Sequence, residues 1–290
     1  MKRLCTLLAP IIILTLMLIY TDCSNDDVDD NSTDEDIYDD DSNDDDNLDD
    51  DSDDDSTNES CKSKNYAIQV VEYKIAENGG FGEEYLPNNV LGAPSGRGDF
   101  APQSSPAEVL SLGDGGYIIL KLGRKVIDEE GADFVVFENP FFIGGNPNRI
   151  FIEAAVVEVS QDGENWVRFP FNYEPVGEDP WSNPNNFSGL AGVNPVYGNC
   201  DSDENFVDPL DPKVSGGDFF DLADIGLDWV AYIKIIDAGN AETYPESQIY
   251  DADGDAIDDA GNHGFASAPF AGFDLDAVGI IHGGEELQPD

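Results

Sequence analysis

The stretch that decides the fold is VEVSQDGENW, at residues 157–166. Valines alternate with Glu158 and Ser160, which is the two-residue period of a strand with one buried face. The Asp-Gly pair that follows favours a tight turn between two strands. We expect Trp166, after the turn, to pack in the core. The stretch predicts a β-hairpin that buries one face.

Similar short runs of β-branched and aromatic residues recur along the chain, broken by Gly, Pro, Asn and Asp, and helical periodicity is nearly absent. The predicted strand regions are 66–75, 109–112, 116–122, 133–137, 150–160, 165–169, 229–236 and 273–281. Recurring short strands of this kind predict an all-β antiparallel sandwich or barrel with long loops. We assign it to residues 62–290.

Five motifs extend this reading, and together with the hairpin they resemble a known group. They are NVLG at 89–92, LSLG at 110–113, FENPF at 137–141, SGGDFFDLAD at 215–224 and GFDLDAV at 272–278. The hairpin resembles that of discoidin-type, galactose-binding-like jelly rolls, and the motifs resemble uncharacterised bacterial cell-surface proteins and lipoproteins. The resemblance implies a secreted jelly-roll β-sandwich and no defined activity.

The N-terminus has the layout of an export signal. Basic residues at positions 2 and 3 precede the uncharged apolar segment 4–20, and Cys23 follows. This resembles a bacterial lipoprotein signal, residues 1–22, with Cys23 as the lipid-bearing residue, although Asp22 replaces the usual small residue. An ordinary signal peptide and an uncleaved anchor are the alternatives. All three place the folded part outside the cytoplasm.

Residues 23–61 are almost entirely Asp, Asn and Ser. Such a tract buries little apolar surface and its like charges repel, so it predicts a disordered, extended tether. With lipid at Cys23, the protein would be anchored to the outer membrane or cell surface of a bacterium.

The charge balance limits the partners. The chain carries 62 acidic and 13 basic residues, a net charge of −49. A polyanion would be repelled, so nucleic acid is excluded as a partner, and cations are the natural counter-species. The sequence contains no phosphate-binding glycine loop between a strand and a helix, so nucleotide cofactors are not indicated.

Cysteine usage is compatible with export. Cys5 lies in the signal segment and Cys23 is the lipidation candidate, which leaves Cys61 and Cys200. A Cys61–Cys200 disulfide is one interpretation, since oxidation is permitted outside the cytoplasm. Two free thiols are the other.

The best local cation-binding candidate is DADGDAIDD at residues 251–259. Its alternating carboxylates around a glycine could converge on Ca²⁺, which prefers hard oxygen ligands. It is not an EF-hand, because Ala and Asn stand where that motif has Gly and Glu. We predict structural calcium with ligands Asp251, Asp253, Asp255 and Asp259; a solvated acidic loop is the alternative.

Further carboxylates are candidates for the same ion or for a second one. Asp274 and Asp276 lie two apart on a predicted strand, so their side chains should share a face while Phe273 faces the core. Glu138 and Asn139, after the strand at 133–137, could add ligands. Paired Asp274 and Asp276 would also suit an acid–base role in glycoside hydrolysis.

The segment 173–197 has little strand pattern and predicts a long excursion. Its Trp181 and Phe187 are candidates for contact with a carbohydrate face, because long ordered loops often carry recognition. The alternative is that both rings cover an open end of the sandwich.

These features favour a non-enzymatic, calcium-stabilised binding or adhesion module for a glycan or another extracellular partner such as a surface protein. An extracellular glycoside hydrolase or lyase and a structural envelope or matrix component are the alternatives. Jelly rolls host all three, so the fold does not choose between them.

Overall fold

The computed structural model describes residues 58–100, 102–201, 204–240, 244–264 and 268–290. The predicted signal peptide, the lipidation candidate Cys23 and nearly all of the predicted tether lie outside the described residues. Three residues of the assigned tether, Glu59–Cys61, form a short helical turn at the start of the described domain.

The described residues contain fifteen strands, and all of their pairings are antiparallel, so the all-β prediction is confirmed. They are β1 (Ala67–Lys74), β2 (Leu110–Ser111), β3 (Tyr117–Ile127), β4 (Phe134–Phe137), β5 (Phe141–Phe142), β6 (Ile150–Phe151), β7 (Ala155–Ser160), β8 (Val167–Arg168), β9 (Asn172–Tyr173), β10 (Phe187–Ser188), β11 (Asp218–Phe220), β12 (Trp229–Asp237), β13 (Asp274–Leu275), β14 (Ala277–Ile280) and β15 (Gly283–Glu286).

Helical structure in the described ranges is limited to nine 3₁₀ turns of three or four residues. They are Glu59–Cys61, Ser63–Asn65, Glu83–Tyr85, Asn88–Val90, Ile143–Gly145, Pro180–Ser182, Pro184–Asn186, Leu222–Asp224 and Ala260–His263. None of these turns has the length and apolar character that a bilayer crossing requires.

The larger sheet has six strands, in the order β1-β3-β12-β7-β8, and β15 also pairs with β3. In the central strand β3, Leu120 belongs to the core, while the neighbouring Lys121, also buried, lies near the Tyr232 ring. Neighbouring residues of a strand lie on opposite faces of the sheet. A one-residue slip in strand pairing would therefore move the core residues to the other face, so packing of the core sets the register.

The smaller sheet has three strands, in the order β11-β4-β14. Its Phe134, Val136 and Val278 share one hydrophobic cluster with Leu120 and Ile235 of the larger sheet. The principal core therefore lies between two antiparallel sheets, in a β-sandwich-like arrangement. Three two-stranded ladders complete the pairing, β2 with β13, β5 with β6, and β9 with β10.

The hairpin at residues 157–166 forms, with β7 paired to β8, but two details differ from prediction. The connection spans six residues, because the Asp162 carboxylate accepts the backbone amides of Glu164 and Asn165 and widens the turn. Trp166 is only partly buried, and Phe169, 3% exposed, occupies the core instead.

A second apolar cluster lies beneath the excursion at 173–197. Phe187 packs against Tyr173 with ring centroids 4.9 Å apart, and both belong to this cluster. Trp181 is also buried, 5.2 Å from the His263 ring. These burials favour the reading in which Trp181 and Phe187 are covering side chains.

Cys61 and Cys200 are joined by a disulfide across 139 positions of sequence. The bond ties the start of the described domain to the loop that follows the excursion. A cross-link over so long a loop restricts the unfolded chain strongly.

Candidate metal centre

Three carboxylates meet where β4, β13 and the β6–β7 connection come together. Glu138, Glu153 and Asp274 each offer an oxygen, and these oxygens lie within 4.8 Å of one another. Glu138 and Glu153 are only 2% and 3% exposed, and Asp274 is partly buried. Three anionic groups this close, two of them buried, are costly unless a cation or protons neutralise them.

Each carboxylate comes from a different part of the fold. Glu138 directly follows β4 of the smaller sheet, and Glu153 lies between β6 and β7. Asp274 opens β13 and pairs with Ser111 of β2, whose hydroxyl donates to its carboxylate. The group therefore depends on tertiary packing, since the three residues are far apart in sequence.

Two alternate backbone amides of the segment 272–274 donate to this group. The Gly272 amide donates to Glu153 Oε1 at 3.1 Å, and the Asp274 amide donates to Glu138 Oε1 at 3.3 Å. Gly272 has φ +77°, and a Cβ there would lie 2.7 Å from the backbone of Gly113. A glycine is therefore required for the chain to pass so close.

One oxygen of the group is unsatisfied. Glu138 Oε2 is buried and has no hydrogen-bond partner among the described residues. Of the side-chain atoms in this condition within those residues, it is the single carboxylate oxygen. A buried carboxylate oxygen without a donor is stabilised when a cation or a proton binds to it.

Burial dominates the electrostatics of the group. It raises the pKa of Glu138 and of Glu153 well above their usual range, and the neighbouring carboxylate of Asp274 raises both further. Burial also raises the pKa of Asp274 to about 6, although hydrogen bonds from Ser111 and Asn139 oppose it. The group therefore binds positive charge readily, as protons or as a metal ion.

Neighbouring buried carboxylates are satisfied by the backbone. Asp237 accepts the amides of Gly115, Gly239 and Phe273, each at 2.8 Å. Asp259 accepts the amides of Ala154 at 2.9 Å and Gly261 at 3.0 Å. These two acids act as structural acceptors, and the orphaned oxygen distinguishes the Glu138 group from them.

A pocket of 280 Å³ opens beside the group, and Glu153 and Asp274 form part of its lining. Two pairs of phenyl rings line it as well. Phe81 and Phe270 have centroids 4.8 Å apart, and Phe141 and Phe151 stack at 5.1 Å across the β5–β6 ladder. We call this space the phenyl pocket.

Two polar side chains that line the phenyl pocket, Asn139 and Gln103, form hydrogen bonds within the protein. Asn139 Nδ2 donates to Asp274 Oδ2 at 3.1 Å and to the Gln103 carbonyl at 2.7 Å. Gln103 Nε2 donates to the Ser95 carbonyl, and its Oε1 accepts the Ser104 amide. Asn139 thus acts as a donor that orients Asp274.

The predicted calcium loop is arranged differently from the Glu138 group. Asp251 is buried and accepts the amides of Tyr173, Asp253 and Asp255, which lower the pKa of its carboxyl. Asp253 and Asp255 are exposed. Asp259 accepts the backbone amides of Ala154 and Gly261. These four residues are not among the described acidic groups whose oxygens converge within 4.8 Å.

Asp274 and Asp276 have different neighbours. Asp274 contacts Ser111 and Asn139, whereas Asp276 accepts the Ser95 amide at 3.1 Å. Burial raises the pKa of Asp276 well above its usual range, and the carboxylate of Glu108 adds to this. Phe273 is fully buried, as expected.

A second acidic group consists of Asp128, Asp133 and Asp221. Both oxygens of Asp133 are already engaged, since Oδ1 accepts from the Glu129 amide and contacts His282 Nδ1 at 2.8 Å, while Oδ2 accepts the Leu222 amide. This group lacks the orphaned oxygen that marks the Glu138 group.

Sequence reasoning identified Glu138, Asn139 and Asp274 but missed Glu153 and the four phenyl rings. Glu153 stands inside the run IFIEAAVV at residues 150–157. A charged residue in such an apolar run was the available signal. The phenyl rings had no comparable signal, because they lie in separate short segments.

No protein-family model matches this sequence, and a search of curated proteins finds no match either.

Proposed function

We propose that this chain is a non-enzymatic, calcium-stabilised binding module of a bacterial cell surface, anchored through lipid at Cys23 and held away from the membrane by the acidic tether. Its partner is a glycan or another extracellular molecule. The observation that carries the proposal is the orphaned Glu138 Oε2 within a group of three carboxylates, two of them buried and one partly buried.

Calcium suits this group better than softer metals. All three side chains offer hard oxygens, and Ca²⁺ tolerates irregular coordination by carboxylates. A divalent ion would change the local charge from −3 to −1 and give Glu138 Oε2 a partner. The ion would join β4, the β6–β7 connection and β13, and so stabilise the packing of these three segments.

The fold proposal is a galactose-binding-like jelly roll. It is supported by the two antiparallel sheets around one core and by the sequence resemblance. Three of the five resemblance motifs contribute to the metal group: FENPF contains Glu138, GFDLDAV contains Asp274, and LSLG contains Ser111. The Cys61–Cys200 disulfide is compatible with an oxidising, extracytoplasmic location.

The test is the thermal midpoint of the purified full chain with Ca²⁺, with Mg²⁺ and with a chelator. At a Ca²⁺ concentration 100-fold above Kd, binding to the folded state stabilises it by about 2.7 kcal/mol. For a domain of this size we expect the midpoint to rise by roughly 5–10 °C. Mg²⁺ should have a smaller effect, because it demands a stricter octahedral geometry.

Glu138→Gln is the diagnostic variant and Asp253→Asn is its matched control. Both remove one negative charge, but only the first removes the orphaned oxygen. We expect the Ca²⁺-induced rise to be lost in Glu138→Gln and kept in Asp253→Asn. An unchanged wild-type midpoint in Ca²⁺ and in chelator would contradict the proposal and indicate that shared protons neutralise the group.

A further inference from the structure

We infer that the phenyl pocket binds a single sugar ring, whose adjacent hydroxyls complete the coordination of the calcium ion held by Glu138, Glu153 and Asp274. The inference rests on the proposed ion and names the ligand class that the ion would present to the outside. It makes the metal group a recognition element as well as a structural one.

The first step concerns access to the ion. Glu153 and Asp274 belong both to the carboxylate group and to the lining of the phenyl pocket. Glu138, whose orphaned oxygen is buried, is not part of that lining. An ion bound by all three carboxylates would therefore face the pocket on its open side.

The second step concerns how many ligands the protein supplies. Calcium takes six to eight oxygens. Each of the three carboxylates has one oxygen placed to share an ion, and Oε1 of Glu138 and of Glu153 already accepts a backbone amide. The protein is thus suited to give about one oxygen per carboxylate, and the remaining positions would be filled from the pocket.

The third step concerns the charge and polarity of the occupant. Both polar atoms of the Gln103 amide and Nδ2 of Asn139 are engaged within the protein, so recognition of polar groups falls mainly to the ion. With calcium bound, the three carboxylates leave a local charge of −1, which disfavours a phosphate or carboxylate ligand. Neutral hydroxyls can coordinate calcium without this repulsion.

The fourth step concerns the pocket walls. Phe81 with Phe270, and Phe141 with Phe151, offer aromatic surface to the C–H faces of a ring. The volume of 280 Å³ is just below the roughly 300–1,000 Å³ typical of small-molecule pockets. These features fit one polyhydroxylated ring rather than an extended or fully apolar ligand.

The experiment is calorimetric titration of the full chain with a panel of methyl glycosides of glucose, galactose and mannose. We expect at least one glycoside to bind in the presence of Ca²⁺ with a Kd of about 1 mM, so the glycoside is titrated to roughly 10 mM. Chelation should abolish binding. Lack of binding by every member of the panel, or equal binding in chelator, overturns the inference.

Phe270→Ala tests the pocket, and Phe100→Ala is its control. Phe270 is half exposed and Phe100 is 72% exposed and outside the pocket, so both variants should fold. We expect Phe270→Ala to weaken glycoside binding roughly fivefold, with the Ca²⁺-induced rise in midpoint retained. Equal affinity of both variants would place the sugar elsewhere and overturn the inference.

Two failures can be told apart. If Ca²⁺ does not raise the midpoint, the proposed function fails together with this inference. If Ca²⁺ raises it and no glycoside binds, only the inference fails. Tetramethylammonium serves as a competing probe, since aromatic walls over carboxylates also suit an organic cation. The inference is overturned in favour of an ammonium ligand if tetramethylammonium binds in chelator, Ca²⁺ releases it, and no glycoside binds.

Discussion

Two acidic regions of this molecule use carboxylates in opposite ways. The loop at residues 251–259 is dense in Asp, yet its carboxylates mostly face solvent or cap nearby amides. The Glu138 group brings together three acids from distant segments, two of them buried and one partly buried. Local density of acids is thus a poor guide to cation binding, and burial without hydrogen-bond donors is a better one.

The reason is the cost of desolvation. An exposed carboxylate is already stabilised by water, so a cation must displace that water to gain anything. A buried carboxylate has lost this stabilisation, and a cation restores it. Backbone amides that donate to Asp251 compensate its lost hydration, whereas Glu138 Oε2 has no such donor.

The largest expected effect concerns Asp251, the structural acid of the loop. Asp251→Ala removes acceptors for the amides of Tyr173, Asp253 and Asp255. We expect the thermal midpoint to fall by roughly 6–12 °C, equally in Ca²⁺ and in chelator. If Ca²⁺ no longer raised the thermal midpoint of this variant, the loop at residues 251–259 would be the calcium site, and the contrast between the two acidic regions would be wrong.

A second prediction concerns pH, measured in chelator. The pKa of Asp274 is raised from 3.8 to about 6 by burial, so the folded state binds more protons than the unfolded state between these values. The free energy of unfolding should therefore fall as pH rises from about 4 to about 6, by at most about 3 kcal/mol. Asp251 acts in the opposite sense, because its pKa is lowered in the folded state. Its carboxylate stabilises the protein when the pH is above the ordinary pKa of Asp, and this contribution is lost as the pH falls.

Asp274→Asn checks this pH dependence. Asn keeps an oxygen for the Ser111 hydroxyl but does not titrate, so the decline in stability between pH 4 and 6 should flatten. The measurement is denaturant unfolding at a series of pH values. A variant that keeps the wild-type slope would show that Asp274 is not desolvated.

A third prediction concerns Glu153, which sequence reasoning missed. Glu153→Gln should abolish most of the Ca²⁺-induced stabilisation of about 2.7 kcal/mol, since it removes a charged ligand. In chelator the same variant should match or exceed the wild-type midpoint, because one of three repelling charges is gone. Thermal melts in both conditions measure the two effects, and full Ca²⁺ stabilisation of the variant would exclude Glu153 from the site.

The smallest effects are expected in the exposed part of the loop. Asp253→Asn and Asp255→Asn should each change the midpoint by less than roughly 2 °C, with the Ca²⁺ response unchanged. Both side chains are exposed. A reduced Ca²⁺ response in either variant would show that the loop contributes to ion binding after all.

Much of the strand pattern was predictable from local sequence. Each of the eight predicted runs contains at least one strand, although the run at 150–160 is divided into β6 and β7 around Glu153. The strands that were missed are short or atypical, such as β5 and β15. Their residues pair through contacts with distant segments, and such contacts leave little trace in a local period.

The candidate site was predictable only in part. Glu138, Asn139 and Asp274 follow or begin strands within recognisable motifs, which singled them out. Their convergence with Glu153 depends on how β4, the β6–β7 connection and β13 meet, which strand patterning does not specify. The pairing of Cys61 with Cys200 likewise remained one of two alternatives until the chain was folded.

The sequence by itself determined the all-β class and the alternation of buried and exposed faces, because a two-residue period follows from strand geometry. It also determined the extreme negative charge, which is a property of composition. The tertiary structure decided which carboxylates lose their water and lie together beside an aromatic pocket. Desolvation and proximity arise from packing between segments distant in sequence, so no local pattern encodes them.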